Sequence, residues 1–203
     1  GGDGDRVLRL CILWSDTRSF REAAELDGDP RFRRITGNIV LPGFTAPKLV
    51  WVKKHEPRIF EKIAKVLLPK DYIRYRMTGT YGSDMSDSSG TYWLDIAGRK
   101  WSDMLLAASD MRRDQMPELF EGTDATGQLT PAVARAWGMP KRPVVAGGGG
   151  DNAAAACGIG AVTDGAGFFT IGTSGVMFVS NDKFSPNAGR YVHAFCHAVP
   201  NTW

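Results

Sequence analysis

The chain has 203 residues, 43% hydrophobic and 23% charged, the balance of a soluble globular protein with room for one sizeable domain or one domain and part of another. Its net charge is +3, and the basic residues are scattered, as at Lys53-Lys54 and Arg112-Arg113, with no run of five. Nothing in that pattern calls for nucleic acid; it is a mixed solvated surface whose mild positive bias suits an anionic substrate.

In chain order, Arg6–Trp14 predicts one or two strands, and Ser19–Leu26 a short helix closed by Gly28 and Pro30. Pro47 is placed to open a buried helix, and Pro57 the next one. Lys65–Leu68 is a brief strand before Pro69, and Asp71–Met77 a helix stopped by Gly79. Ser83–Ser89 is rich in capping and turn residues. Ser102 caps a helix over Trp101–Ala108, and Thr130-Pro131 caps Ala132–Trp137, which ends at Gly138. Pro143–Ala146 predicts a buried strand and Asn152–Cys157 a helix. Strands then take over at Gly167–Ile171, Val176–Ser180 and Tyr191–Ala198, which puts a domain boundary near Ala161–Gly165. Strands mixed with helices define an α/β class.

Three cysteines, Cys11, Cys157 and Cys196, are widely spaced and odd in number, which argues against a disulfide framework and for a reducing, cytoplasmic setting. No apolar run approaches the roughly 20 residues that cross a bilayer. The polar, acidic start GGDGDRVLRL does not read as a signal peptide.

The chemistry concentrates at Val144–Gly160, VVAGGGGDNAAAACGIG. A short apolar run opens into Gly147–Gly150, and one carboxylate, Asp151, stands where a helix begins. Glycine, lacking a Cβ, lets backbone or substrate come close, and an acid at the carboxyl end of a strand sits where open α/β sheets bind ligands. Such a carboxylate can orient an attacking hydroxyl and take its proton in phosphoryl transfer, with Asn152 donating and accepting beside it. Equally, Asp151 is a plausible N-cap of the alanine helix, and the two roles are compatible. A helix N-terminus stabilises the carboxylate and weakens it as a base, so orientation is its main expected work.

Gly172-Thr173-Ser174-Gly175 lies between two apolar runs. It is a hairpin turn whose free N–H groups could cradle a phosphate. His193 and His197 form an HxxxH, but a strand-like setting makes structural histidines the better reading than a metal site. Asp84 and Asp87 could be a paired acid site, although their serine-rich surroundings favour capping and turns. Trp14, followed by Ser15-Asp16-Thr17-Arg18, mixes an aromatic face with polar groups, as sugar pockets do.

Six segments together resemble the FGGY carbohydrate kinases, most closely their xylulose-phosphorylating branch. They are ILWSDTR (Ile12–Arg18), ITGNIVLPGFTAPKLVWVKKHEP (Ile35–Pro57), VLLPKDYIRYRMTG (Val66–Gly79), SDMSDSSGTYWLD (Ser83–Asp95), GGGGDNAA (Gly147–Ala154) and IGTSG (Ile171–Gly175), in family order. The resemblance implies a ribonuclease-H/actin-like sugar kinase fold. Residues 1–162 would be part of the N-terminal sugar-binding domain and 163–203 the start of the C-terminal ATP-binding domain. It implies ATP and Mg²⁺ as cofactors and a pentulose as substrate, with neither nucleic acid nor membrane as partner and a homodimer as a possible assembly. Asp151 would be the base that activates the sugar hydroxyl. Asn152, Trp14 and Asp16 would contact the sugar, and Gly172, Thr173, Ser174 and Gly175 the ATP phosphates.

Departures from the family pattern narrow the expectation. The family's opening GxDxGT phosphate loop, whose Asp holds Mg²⁺, has no counterpart here, nor does the Met-His-Gly segment that contacts xylulose. The chain is therefore expected to be an internal piece with little activity of its own. GGGGDNAAAACG also carries one more glycine than the usual GGGDNAAGAVG. The alternatives are a non-catalytic sugar-binding or interaction module on the kinase fold, or a kinase for glycerol, gluconate or ribulose.

Overall fold

The computed structural model describes residues 6–172 and 175–203. The chain divides into two units, one of residues 1–66, 88–116 and 186–195 and one of residues 67–87, 117–185 and 196–203.

The first unit is mainly helical. Helix α1 spans Phe20–Asp27, and α2 follows at once over Pro30–Thr36. Pro30 does not close a helix, as the sequence suggested, but starts one. Asp29 accepts a hydrogen bond from the Arg31 N–H at 3.0 Å, and proline sits where its missing N–H is an orphan anyway. Gly37, at φ 68°, ends α2 in the left-handed conformation that favours glycine. Helix α3 spans Thr45–His55, starting two residues before Pro47, and α4 spans Pro57–Phe60. The first turn of α3 is the enclosed part, through Ala46, Pro47 and Lys48 with Val52 further on, while Lys53, Lys54 and His55 at its end are exposed.

Strands β2 (Leu94–Asp95) and β3 (Lys100–Trp101) form a short antiparallel hairpin ahead of α7 (Asp103–Ala108), where Ser102 accepts from the Leu105 N–H as predicted. The core gathers Phe32, Tyr92, Trp93, Leu94, Ile96, Leu105 and Leu106. Two buried polar locks hold it. The Tyr92 hydroxyl donates to the Ile39 carbonyl at 2.6 Å, and Asn38 makes reciprocal bonds of 2.9 and 2.7 Å with the backbone of Ala194.

In the second unit α5 (Pro69–Thr78) precedes β1 (Gly82–Asp84), which runs straight into α6 (Met85–Ser88). Strand β1 pairs in parallel with β4 (Glu118–Phe120), with Gly82 opposite Glu118 and Asp84 opposite Phe120. Strand β5 (Ala125–Gln128) pairs antiparallel with β6 (Val144–Ala146) across an irregularity between Ala125 and Gly127. Between them lies α8 (Pro131–Ala136), capped by Thr130 as the sequence indicated. Helix α9 covers Asp151–Ile159 and ends at Gly160, φ 77°. Strands β7 (Gly167–Ile171) and β8 (Gly175–Val179) form the expected hairpin.

Four expectations fail. Arg6–Trp14 is not a strand, because its backbone finds no ladder partner among the described residues; Leu10 is 89% exposed. Lys65–Leu68 is not one either. Val66 makes a single backbone bond to Gln115, and Leu68 serves as the residue before α5, its N–H donating to Asp71. Tyr191–Ala198 has only an isolated bridge, Asn187 to Val192. Strand β6 does form, but Val144 is exposed rather than buried.

Candidate active site

The site is built in the second unit around the glycine loop between β6 and α9. Its glycines answer to close backbone approaches. Gly147 and Gly148 donate to the carbonyls of Asp124 and Gly122 at 2.9 and 3.0 Å. A methyl group on Gly147 would fall on the Glu121 carbonyl oxygen, and one on Gly122 would lie 2.6 Å from the Gly148 oxygen. Gly148 adds a φ of 81°, where a side chain is strained.

Both ends of the loop are pinned. The buried Arg74 guanidinium reaches the Gly147 carbonyl at 3.5 Å. At the other end the Gly150 N–H donates to Ser86 Oγ at 2.9 Å, and Ser86 Oγ donates to Asp84 Oδ2 at 2.5 Å.

Gly150, not Asp151, is the N-cap of α9, which corrects the capping alternative: Asp151 is the first helical residue. Its Oδ1 accepts from the Asn152 N–H at 2.8 Å and from Asn152 Nδ2 at 3.2 Å. The carboxylate is therefore exposed, on a helix start, with one oxygen tied to its neighbour and the other open to solvent. That suits a group whose work is to orient and deprotonate a bound hydroxyl.

Beneath the loop lies a feature that the sequence reading saw only in part. Asp84 and Asp87 do come together, joined by Asp71, with ligand oxygens within 4.8 Å of one another. Lys70 Nζ sits among them, 2.8 Å from Asp71, 2.6 Å from Asp84 and 3.7 Å from Asp87. Asp84 also fills the expected turn role, accepting from the N–H groups of Ser86 and Asp87. Burial pulls the Lys70 ammonium down, but the charges of Asp71 and Asp84 outweigh it and leave it above its usual value. Burial pushes the Asp87 carboxyl up to about 6; Lys70 opposes the rise, while Asp84, Asp71 and Asp151 add to it. With an ammonium at its centre the cluster does not fit a divalent cation. Lys70 and Asp71 stand in the LPKDY segment, where only the family resemblance singled them out.

The remaining predicted residues separate. Trp14 and Asp16 belong to the first unit. Trp14 is 82% exposed, and Gly43 packs against its carbonyl. Both Asp16 oxygens are held by Arg18, at 2.6 to 3.0 Å, and these hydrogen bonds lower its carboxyl to about 2. Gly172 and Gly175 stand at the tip of the β7–β8 hairpin, where a methyl group on Gly172 would meet nothing within 4 Å. That openness fits a phosphate approaching the backbone. Thr173 and Ser174 lie outside the described residues. The HxxxH yields no metal site among the described residues. His193 stacks on Phe195, with burial lowering its pKa, and His197 meets the edge of Phe178 and accepts from the Val199 N–H.

A mixed α/β unit with an acid on a glycine loop at a helix start, followed in the chain by a small-residue hairpin turn, is what the actin-like sugar kinase fold leads one to expect. Solved neighbours bear this out. The chain superposes on a xyloylose kinase from Brucella ovis with TM-score 0.97 and 59% identity, over 99% of this chain and 42% of that one. Xylulose kinase from Rhodospirillum rubrum follows at 0.90 and 28%, over 97% and 41%. The family model for the FGGY carbohydrate kinases, N-terminal domain, matches residues 3–158, and the chain belongs to that family. Among curated relatives, xylulose kinase of Escherichia coli is 56% identical over 98% of this chain, and that of Bacillus subtilis 42% identical over 99%. The chain spans 41% of the length of each.

Proposed function

We propose that this chain supplies the sugar-side machinery of an ATP-dependent pentulose kinase that converts D-xylulose to D-xylulose 5-phosphate. The observation that carries this reading is the Asp151 carboxylate, exposed at the first residue of α9 behind a loop pinned at both ends. The 56% identity to a xylulose kinase favours this sugar over glycerol, gluconate or ribulose.

Asp151 accepts the proton of the sugar C5 hydroxyl as that oxygen bonds to phosphorus, and Asn152 holds a neighbouring hydroxyl. Trp14 lends an aromatic face to the sugar. Asp16 contributes through whatever acceptor capacity Arg18 leaves it. ATP supplies the transferable phosphoryl group when bound, and Gly172 and Gly175, with Thr173 and Ser174, would hold its phosphates. The Lys70 cluster does not fit an Mg²⁺ accompanying ATP, since its carboxylates are already paired with an ammonium. In domain terms, residues 1–162 belong to the sugar-binding domain and 163–203 open the ATP-binding one, a division supported by the family match ending at residue 158. No described helix is long and apolar enough to cross a membrane, and a cytoplasmic setting is part of the proposal.

The test is ADP release dependent on both ATP and D-xylulose, with calorimetry for each ligand. It is run on this chain and on the longest natural polypeptide that contains it. Asp151→Asn is expected to lower turnover by at least about 100-fold with D-xylulose affinity nearly retained. Full turnover in that variant would refute the reading. Sugar binding without turnover in either protein would favour a binding module.

A further inference from the structure

We propose that Ser86 is a positioning residue that aims the Asp151 carboxylate by holding the end of the glycine loop. The inference rests on the reading of Asp151 as the base. Ser86 is 4% exposed and stands where β1 passes into α6, so its place is set by the parallel β1–β4 pair. Its hydroxyl makes two directed bonds. It donates to Asp84 Oδ2 at 2.5 Å and accepts from the Gly150 N–H at 2.9 Å. Asp84 is fully buried and anchored by Lys70 at 2.6 Å, and its Oδ2 also takes the Ser86 N–H at 2.9 Å. A charged, immobile acceptor therefore fixes the rotor of the serine hydroxyl, leaving a lone pair aimed at Gly150.

Gly150 is the N-cap of α9, one peptide before Asp151. Of the three glycines ahead of it, Gly147 and Gly148 are held by backbone bonds to Asp124 and Gly122, and Gly147 also by Arg74, so the last stretch into Gly150, with no side chain to pack, is the part left to Ser86. Fixing the Gly150 N–H thus sets where the helix begins and where its first carboxylate points. The Cβ that Gly149 lacks would lie 3.4 Å from Ser86 Oγ, so the bare loop and the hydroxyl pack together. Removing the hydroxyl frees the loop without touching Asp151 or any sugar contact.

The experiment compares Ser86→Ala and Ser86→Thr with the parent in the longest natural polypeptide containing the chain. Ser102→Ala, which removes a helix cap in the first unit, is a control for simple loss of stability. We expect Ser86→Ala to lower kcat by about 10- to 100-fold, with KM for sugar and ATP within about threefold. Amide exchange of residues 147–152 should quicken by about tenfold while exchange elsewhere is unchanged. Ser86→Thr should restore most of both, and Ser102→Ala should change neither. Parent-like exchange in the loop of Ser86→Ala, or a loss of kcat that threonine does not rescue, overturns the proposal. If Ser86→Ala does not fold, Ser86→Cys takes its place under the same criteria. Full turnover in Asp151→Asn would instead sink the kinase reading and leave the exchange result standing.

Discussion

Lys70 and Asp84 form an ion pair of 2.6 Å in which the carboxylate is wholly buried and the lysine only partly exposed. The same ammonium pairs with Asp71, which also takes the buried Arg74 guanidinium at 3.2 Å, so two cations serve a group of three carboxylates under the glycine loop. Lys70→Met would leave the buried Asp84 without its ion-pair partner, with Arg74 still on Asp71. We expect a loss of about 2–3 kcal/mol at pH 7, between the values for exposed and buried pairs, read from urea unfolding. Adding Asp84→Asn should recover part of it. An unchanged unfolding midpoint in Lys70→Met would show that the cluster has no need of its cation.

The Asp87 carboxyl predicts a pH dependence. Its pKa is about 6 in the folded protein against an ordinary 3.8. Below 3.8 both folded and unfolded chains hold the proton, and the group costs nothing. From there to about 6 only the folded chain holds it, so the stability owed to Asp87 falls as pH rises, and above about 6 the whole cost is incurred. Asp87→Asn should therefore stabilise the protein at pH 7 by about 1–2 kcal/mol, discounted for a side chain partly open to water, and hardly at pH 3.5. Equal effects at the two pH values would contradict the raised pKa.

Gly147→Ala places a methyl group on the Glu121 carbonyl oxygen, and backbone on both sides leaves no flexible atom to yield. A loss of about 1–3 kcal/mol is expected, as for overpacked cores, with loosening of the α9 start. Gly158→Ala, which meets nothing within 4 Å, serves as the control and should be neutral or stabilising. Thermal unfolding of the two variants decides it.

In the first unit the buried Trp93 indole N–H donates to Ser109 Oγ at 2.7 Å. Ser109→Ala strands that donor at a site with no exposure. The expected cost is about 1–3 kcal/mol. A matching drop in the urea midpoint checks it, and Trp93→Phe combined with Ser109→Ala should show less than additive loss.

The local elements were legible in the chain. Ser102 and Thr130 announced their helices because a cap is a contact between residues three apart. The β7–β8 hairpin and the acid at the head of α9 are equally local. Pro30 misled because a proline that stops one helix and a proline that starts the next look alike until Asp29 is seen to cap. Arg6–Trp14 has strand chemistry without strand structure, since a strand is completed only by a neighbour. The sequence by itself determined the class of protein and pointed to the acid at the head of α9. Only the tertiary structure decided what holds that acid. The parallel pairing of Gly82 with Glu118, the passage of β1 into α6 and the docking of Lys70 bring Asp71, Asp84, Ser86 and Gly150 together across as many as 79 residues of sequence. Those contacts are long-range hydrogen bonds and charge pairs, which leave no period or spacing in the chain from which to read them.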